Sequence, residues 1–332
     1  DSKRGLSFEH NNFYLGLLSY PGAEVKYFPY DRILEVGKKR WNQELLEAVK
    51  KEKPDILFCF MLTDEFDKKI LKEISKLTTT LAWFADDHWR LDSYSRFYAP
   101  YFAWLVTTWS KALVQYQLYG IKNVISSQWA CNPGVWKPIE AERDIDVSFV
   151  GQCNSARAKT IETLRAAGIN VYVRGWGWPE GRVSQEEIIR IFSRSKINLN
   201  FNNPPSRWGP RSLPRLLFKR SRDKIVLSCQ HPLSNFKSWL KMSVPQIKAR
   251  PFELAGCRVF IISGYADDME NYYKENEEMV FYRSLADLIE KIKYFLNHNE
   301  ERKKIARAGY ERTIKEHVYE KRFREIFSII GL

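Results

Sequence analysis

No apolar run in this sequence is long enough to cross a bilayer as a helix: the uncharged stretch YAPYFAWLVTTWS, residues 98–110, falls short of the ~20 apolar residues required. Cysteine is sparse. Its five copies, Cys59, Cys131, Cys153, Cys229 and Cys257, are scattered with no C-x-x-C pair, which argues against a disulfide framework or a cysteine zinc site and for a reducing compartment. The opening DSKRG is followed by no apolar targeting core, so no signal peptide is expected and the chain reads as cytoplasmic. What is present is ordinary globular material, 44% hydrophobic and 28% charged, and 332 residues suit two domains at roughly 100–200 residues each.

Positive charge is in excess, and most of it is local. The formal net charge is +13, and residues 205–250 alone hold eleven Lys/Arg against a single acid, Asp223. Such a run is either a solvated basic insertion or a surface that meets something anionic, such as a diphosphate, an acidic lipid face or a nucleic acid. Pro204, Pro205, Pro210 and Pro214 chop its first part into turns, so no continuous helix is expected before Leu216; LLFKRSRDKIVL reads as a short helix or strand.

Elsewhere short apolar runs alternate with helical patterns, the mark of β-α units around parallel sheets. In the second half strands are expected at 146–151, 170–175, 196–201, 258–263 and 278–282. In the first half they are expected at 24–29, 55–62, 79–86, 104–109 and 123–129, with helices near 40–52, 64–76 and 110–119. Ser184 with Glu187 forms a capping box, Ser284 with Asp287 a looser one, and Gly309 can end the helix that starts near Asn299. Two doubly wound α/β halves follow, joined by the Pro- and Gly-containing CNPGVWKPIEAER at 131–143. A doubly wound domain opens with a buried strand, whereas this chain opens on a polar turn and the helix-like NNFYLGLLS, as though a strand precedes Asp1.

In open α/β sheets ligands bind at the carboxyl ends of strands. There, Gly151 and Arg157 follow DVSFVG, and Arg174 and Gly175 sit in RGWGW with Trp176 and Trp178. Glycine allows close approach of a ligand to backbone, although plain turn chemistry explains it equally. The strongest constellation is IKARPFELAGC, 247–257, where Lys248 and Arg250 precede a helix start at Pro251 and Glu253 follows one turn on. Cations suit a diphosphate, and an acceptor-only carboxylate suits ribose hydroxyls. The alternative is an ordinary i,i+3 pair of Arg250 with Glu253, worth ~0.3–0.5 kcal/mol if exposed. Eleven tryptophans offer flat faces to sugars or to a core; Trp104, at a strand start, reads as core.

The stretch from IKARPFELAGCRVFIISGYADDMENYY to EHVYEKRFREIF resembles the CgeB-like, spore-maturation branch of the group 1 glycosyltransferases. The likeness extends loosely through DIDVSFVGQCNSAR, GINVYVRGWGW and SRSKINLNF, and to FEHNNFYLGLL, KPDILFCF and WFADDHW. The basic stretch from about 204 to 244 has no counterpart in it. The resemblance implies a GT-B architecture. Residues 1–135 would form an acceptor domain, 144–315 a nucleotide-sugar donor domain, and 316–332 a helix crossing back to the first domain. It further implies that Glu253 contacts the donor ribose, that Lys248 and Arg250 lie near the diphosphate, and that no metal is obligatory. Retaining members of the superfamily show a second glutamate eight residues earlier; here that position is Pro245.

For an inverting reaction a general base is needed near the acceptor. His10, in FEHNN, is the first candidate; Asp86 and Asp87, in WFADDHW, follow. Together with His88 these aspartates also permit a divalent-cation site. The resulting expectation is a glycosyltransferase moving a sugar from a UDP-, GDP- or other NDP-sugar to a sugar, protein or lipid-linked acceptor in cell-surface polysaccharide or glycoconjugate synthesis. Peripheral contact with an anionic inner membrane face is compatible with that. The rival is a nucleic-acid or polyanion binder using 205–250, against which the small number of aromatics in that segment speaks.

Overall fold

The structure is a computed structural model that describes residues 8–202, 212–221 and 224–332. Pro204, Pro205, Arg207, Trp208, Pro210, Arg211, Arg222 and Asp223, with the opening residues 1–7, lie outside the described residues.

Two parallel sheets form the two halves. The first contains β1 (Ile56–Phe60), β2 (Thr79–Phe84), β3 (Trp104–Thr107) and β4 (Val124–Ser126), paired in that order. Its apolar strands are buried on both faces, as parallel sheets require. The second contains β5 (Ile145–Val150), β6 (Val171–Arg174), β7 (Ser195–Asn200), β10 (Ile261–Gly264) and β11 (Val280–Tyr282), in the order β11-β10-β7-β5-β6. Between β7 and β10 the chain adds an antiparallel hairpin of β8 (Phe218–Arg220) and β9 (Ile225–Leu227), then a helix, Pro232–Lys241.

The expected helices appear as Lys38–Glu52, Lys68–Ile74 and Ala112–Leu118. Both capping boxes form: Ser184 Oγ accepts from the Glu187 N–H, and Ser284 Oγ from the Asp287 N–H. Three expectations need correction. EVKYFP, 24–29, is not a strand; Pro29 lacks the donor a ladder needs, and Phe28 and Tyr30 instead pack on Trp41. Without it the described first sheet runs in one direction, and only the second reverses its strand order, between β5 and β7. Gly309 does not end a helix but sits inside Asn299–Glu316, where a Cβ would run into the Glu278 carbonyl oxygen.

One hydrophobic core crosses between the halves. It joins Phe13, Phe60, Trp83 and Trp129 of the first to Phe252 and Ile261 of the second. The last helix, Tyr319–Ile330, lies in this seam, with Phe323 packed on Phe13 and Phe58, and Phe327 on Tyr20. The backbone closes the junction where the Cys131 N–H donates to the His317 carbonyl and the Tyr319 N–H to the Cys131 carbonyl. Trp83 and Trp129 are therefore core; Trp104 is partly buried against it, and Trp176 is exposed.

Candidate functional site

The reversal of strand order opens a crevice at the carboxyl ends of β5 and β7, where doubly wound sheets hold ligands. The helix Ser155–Ala166 starts there, capped by Asn154, whose side chain accepts from the Arg157 N–H at 3.0 Å. The Arg157 guanidinium folds back over the Phe149 ring and donates to the carbonyls of Gln152 (2.8 Å) and Phe201 (3.4 Å). Burial lowers its pKa, opposed by Tyr282 and reinforced by the charge of Arg250. A cavity of about 230 Å³ lies alongside, lined by Thr160, Pro245, Tyr265, Tyr282, Arg283 and Ser284 at the carboxyl ends of β10 and β11.

Lys248 enters from the loop before the helix Arg250–Gly256, and Arg250 is the first residue of that helix. Burial pushes the Lys248 ammonium down to about 8, against the pull of Asp86 and with the help of Arg157. Arg157 thus lies within electrostatic reach of both Lys248 and Arg250, whose charges are met by Asp86 and Glu253. Arg250 reaches Glu253 at 2.7 Å and lies over the rings of Trp136 and Phe192. Glu253 is only 3% exposed. Burial raises its pKa, opposed by Arg250 and by Asn12, whose Nδ2 approaches Oε1 at 3.5 Å. The i,i+3 pair is present, then, but deep in the domain junction rather than on a surface.

The first half contributes the opposite wall. Asp86 accepts from Gln246 Nε2 at 3.1 Å and lies 4.0 Å from Arg90. It sits deep between the domains, yet 37% of its side chain is open to the cleft. Burial works to raise its pKa, but Lys248, Arg90, His88 and the Gln246 hydrogen bond outweigh it and hold the carboxyl below its usual range. His88 is driven the other way, to about 3, by burial and the nearby Lys248, so it is neutral at pH 7.

Several sequence candidates take other roles. Asp87 is buried and accepts from the Tyr116 hydroxyl at 2.9 Å, its pKa raised to about 6 by burial; it faces the packing of its own domain. With Asp87 turned inward, Asp86, Asp87 and His88 do not converge, and no group of three His, Cys, Asp or Glu side chains suited to a metal occurs among the described residues. Gly151 and Gly175 meet each other: a Cβ on Gly175, whose φ is +134°, would collide with the Gly151 carbonyl oxygen, and Trp178 Nε1 donates to that oxygen at 2.9 Å. Gly175 answers a backbone crossing, and Gly151 makes room for the Phe149 ring. Arg174 donates to its neighbour's carbonyl and covers Tyr172 on edge strand β6. His10 opens a π-helical turn, His10–Tyr14, and its ring lies tilted, 5.0 Å from that of Tyr14.

Sequence reasoning missed the amides of that same turn. Asn11 approaches Gln185 Oε1 at 3.5 Å, and Asn132 Nδ2 donates to the Asn11 carbonyl at 2.6 Å. The Oδ1 atoms of Asn11 and Asn12, and Nε2 of Gln185, are buried without a hydrogen-bond partner. The available signal was the Asn-Asn pair inside a helical segment, where asparagine is a poor choice unless its side chain is needed.

Two facing α/β domains with a cationic crevice at a strand-order reversal define the GT-B class of fold. Residues 215–328 match the family model described as glycosyl transferase-like. No curated protein matches the chain in sequence. Solved structures match it in fold. Sucrose-phosphate synthase from Thermosynechococcus elongatus aligns with a TM-score of 0.57 at 11% identity, over 93% of this chain and 83% of that one. Anabaena HepE in complex with UDP gives 0.58 at 6%, over 89% and 84%. TarM gives 0.57 at 8%, over 86% of this chain but 58% of its own length. The fold of this chain is that of GT-B glycosyltransferases, with a glycosyl transferase-like segment covering most of the second domain.

Proposed function

We propose that the protein is a nucleotide-sugar-dependent glycosyltransferase, transferring a sugar from an NDP-sugar held by the second domain to an acceptor hydroxyl presented by the first. The observation that carries this reading is the gathering of Arg157, Lys248 and Arg250 at the crevice opposite Asp86. Three clustered cations, two of them already facing Asp86 and Glu253, suit a diphosphate, whose charge grows as the sugar leaves. HepE with UDP and with UDP-glucose, and the pneumococcal O-GlcNAc transferase GtfA with UDP and GlcNAc, support the donor class. The pattern of residues 247–323 supports placement in the CgeB-like branch.

In this reading Lys248, Arg250 and Arg157 neutralise the departing diphosphate with no metal required, and Glu253 takes the ribose hydroxyls, exchanging its long Asn12 contact for them. His10 is the base that accepts the acceptor proton. It lies two residues before Asn12, which reaches Glu253, and its ring packs against Tyr14 and Tyr27. Asp86, already ionised and held by Gln246, anchors Lys248 across the cleft.

Calorimetry of UDP and GDP in the presence of EDTA tests the donor assignment. Wild type should bind one of them, and Glu253→Ala or Glu253→Gln should weaken it by roughly 1–3 kcal/mol, the range for hydrogen bonds to a charged group. Unchanged affinity removes the ribose role, and binding that needs a divalent ion removes the metal-free one. In a turnover assay with the donor so identified, His10→Ala should abolish transfer while leaving nucleotide affinity intact; surviving transfer passes the base role to Asp86 or to a retaining mechanism.

A further inference from the structure

The helix Pro232–Lys241 has its polarity reversed. The side facing the protein is mostly polar: Ser234, Asn235 and Ser238 are buried there, with Trp239 as the buried apolar residue of the helix. Arg96 donates to Ser234 Oγ at 2.7 Å, Ser238 donates to Ser93 Oγ at 2.8 Å, and Asn235 donates to the carbonyls of Leu216 (3.0 Å) and Ser228 (2.6 Å). The outward stripe, at positions i, i+3 and i+7, is Leu233, Phe236 and Leu240, all exposed, Leu233 by 78%. A surface helix of a globular domain normally does the opposite.

Asn235 clasps this helix to the hairpin, and the hairpin repeats the pattern. Phe218 stands opposite Leu227, and alternation puts Ile225 on the same face. All three are exposed, Ile225 by 74%. One unit therefore offers two apolar arrays to solvent, beyond the scattered single residues that need no explanation. Exposed Lys219, Lys224 and Lys237 flank them, and no Asp or Glu occurs from 224 to 250.

We infer that this hairpin-and-helix unit, presenting Phe218, Ile225, Leu227, Leu233, Phe236 and Leu240 among lysines, docks on an anionic lipid membrane. Charge complementarity selects the occupant. A second copy of the chain would bring the same cations against themselves, whereas acidic headgroups attract lysines while the acyl boundary takes leucine and phenylalanine. A nucleic acid would use the charge and leave the apolar side chains in water.

Flotation with vesicles of phosphatidylcholine, alone or with a third phosphatidylglycerol, tests this, with a fluorophore on the exposed Cys229 reporting polarity in the same samples. The wild type should float with the anionic vesicles only, with a blue shift of the label. The combined Leu233→Ser, Phe236→Ser and Leu240→Ser variant, and separately Lys219→Glu with Lys237→Glu, should each lower the bound fraction at least tenfold. All five positions are on the surface, and an unchanged melting temperature shows that the fold survives. Absence of flotation, equal flotation on neutral vesicles, or a serine variant that floats like wild type overturns the proposal. So does heparin binding that replaces vesicle binding, which assigns the patch to soluble polyanions. A concentration-dependent dimer that the serine variant abolishes overturns it too, and assigns the patch to a second copy.

Discussion

At the level of single side chains, Lys248 has the property most open to measurement. Its ammonium is charged below pH 8 and loses its proton above it, because burial opposes the charge more than Asp86 supports it. If it holds the donor diphosphate, nucleotide affinity is flat from pH 6 to about 7 and falls above pH 8. An anion bound beside it raises its pKa, so binding near pH 8 takes up a proton. Lys248→Met should remove that pH dependence and weaken binding at pH 7 by roughly 1.5–3 kcal/mol, the value of a charged hydrogen bond. Calorimetry in buffers of different ionisation enthalpy reads both effects. Lys248, Arg250 and Glu253 were legible because a helix start brings sequence neighbours together. Asp86 was legible only as a residue type: nothing in WFADDHW shows that Asp86 turns to the cleft while Asp87 turns to Tyr116. Asn12 and Gln246 reach their partners across the domain junction, a relation that local spacing does not encode.

Among the elements, the strands of the second sheet were the easiest to read, because each is a short apolar run bounded by polar turns. The region between β7 and β10 was the hardest. Its hairpin is three residues per strand and mixes lysine with leucine, so neither period stands out over so short a span. The helix after it carries its leucines outward, the reverse of what periodicity assumes. Gly309 shows the same limit: glycine near a helix end suggests a stop, but here it admits the Glu278 carbonyl against the helix Asn299–Glu316. Gly309→Ala should therefore destabilise the protein by roughly 1–3 kcal/mol, the range for overpacking, despite alanine's better helix propensity. A thermal or urea melt measures it; an unchanged or raised stability would show that the carbonyl gives way.

On the scale of the molecule, the basic insertion is built into the domain arrangement. Lys241 Nζ donates to the buried carboxylate of Asp92 at 2.8 Å and to Gln115, and Ser221 donates to Asp64 at 2.8 Å. Phe97 stacks on His231 at 4.3 Å. Burial opposes ionisation of Asp92, but hydrogen bonds from Lys241 and Tyr119 outweigh it and lower its pKa. The contribution of this pair is present above the ordinary carboxylate range and is lost as pH falls through the lowered value. Asp92→Ala leaves Lys241 without its carboxylate and should loosen the segment. Hydrogen exchange should accelerate at least tenfold over 232–241 while β5 and β7 keep their protection; uniform acceleration would mean that the whole fold, not the strap, depends on the pair.

That strap lies on one side of the crevice, and the helix Tyr319–Ile330 fills the seam where the chain returns to its first half. A molecule laced at two separate places cannot swing open like a book about a single spine. Any opening between the halves has to undo either the Lys241–Asp92 and Ser221–Asp64 contacts of this strap or the phenylalanine packing of the seam.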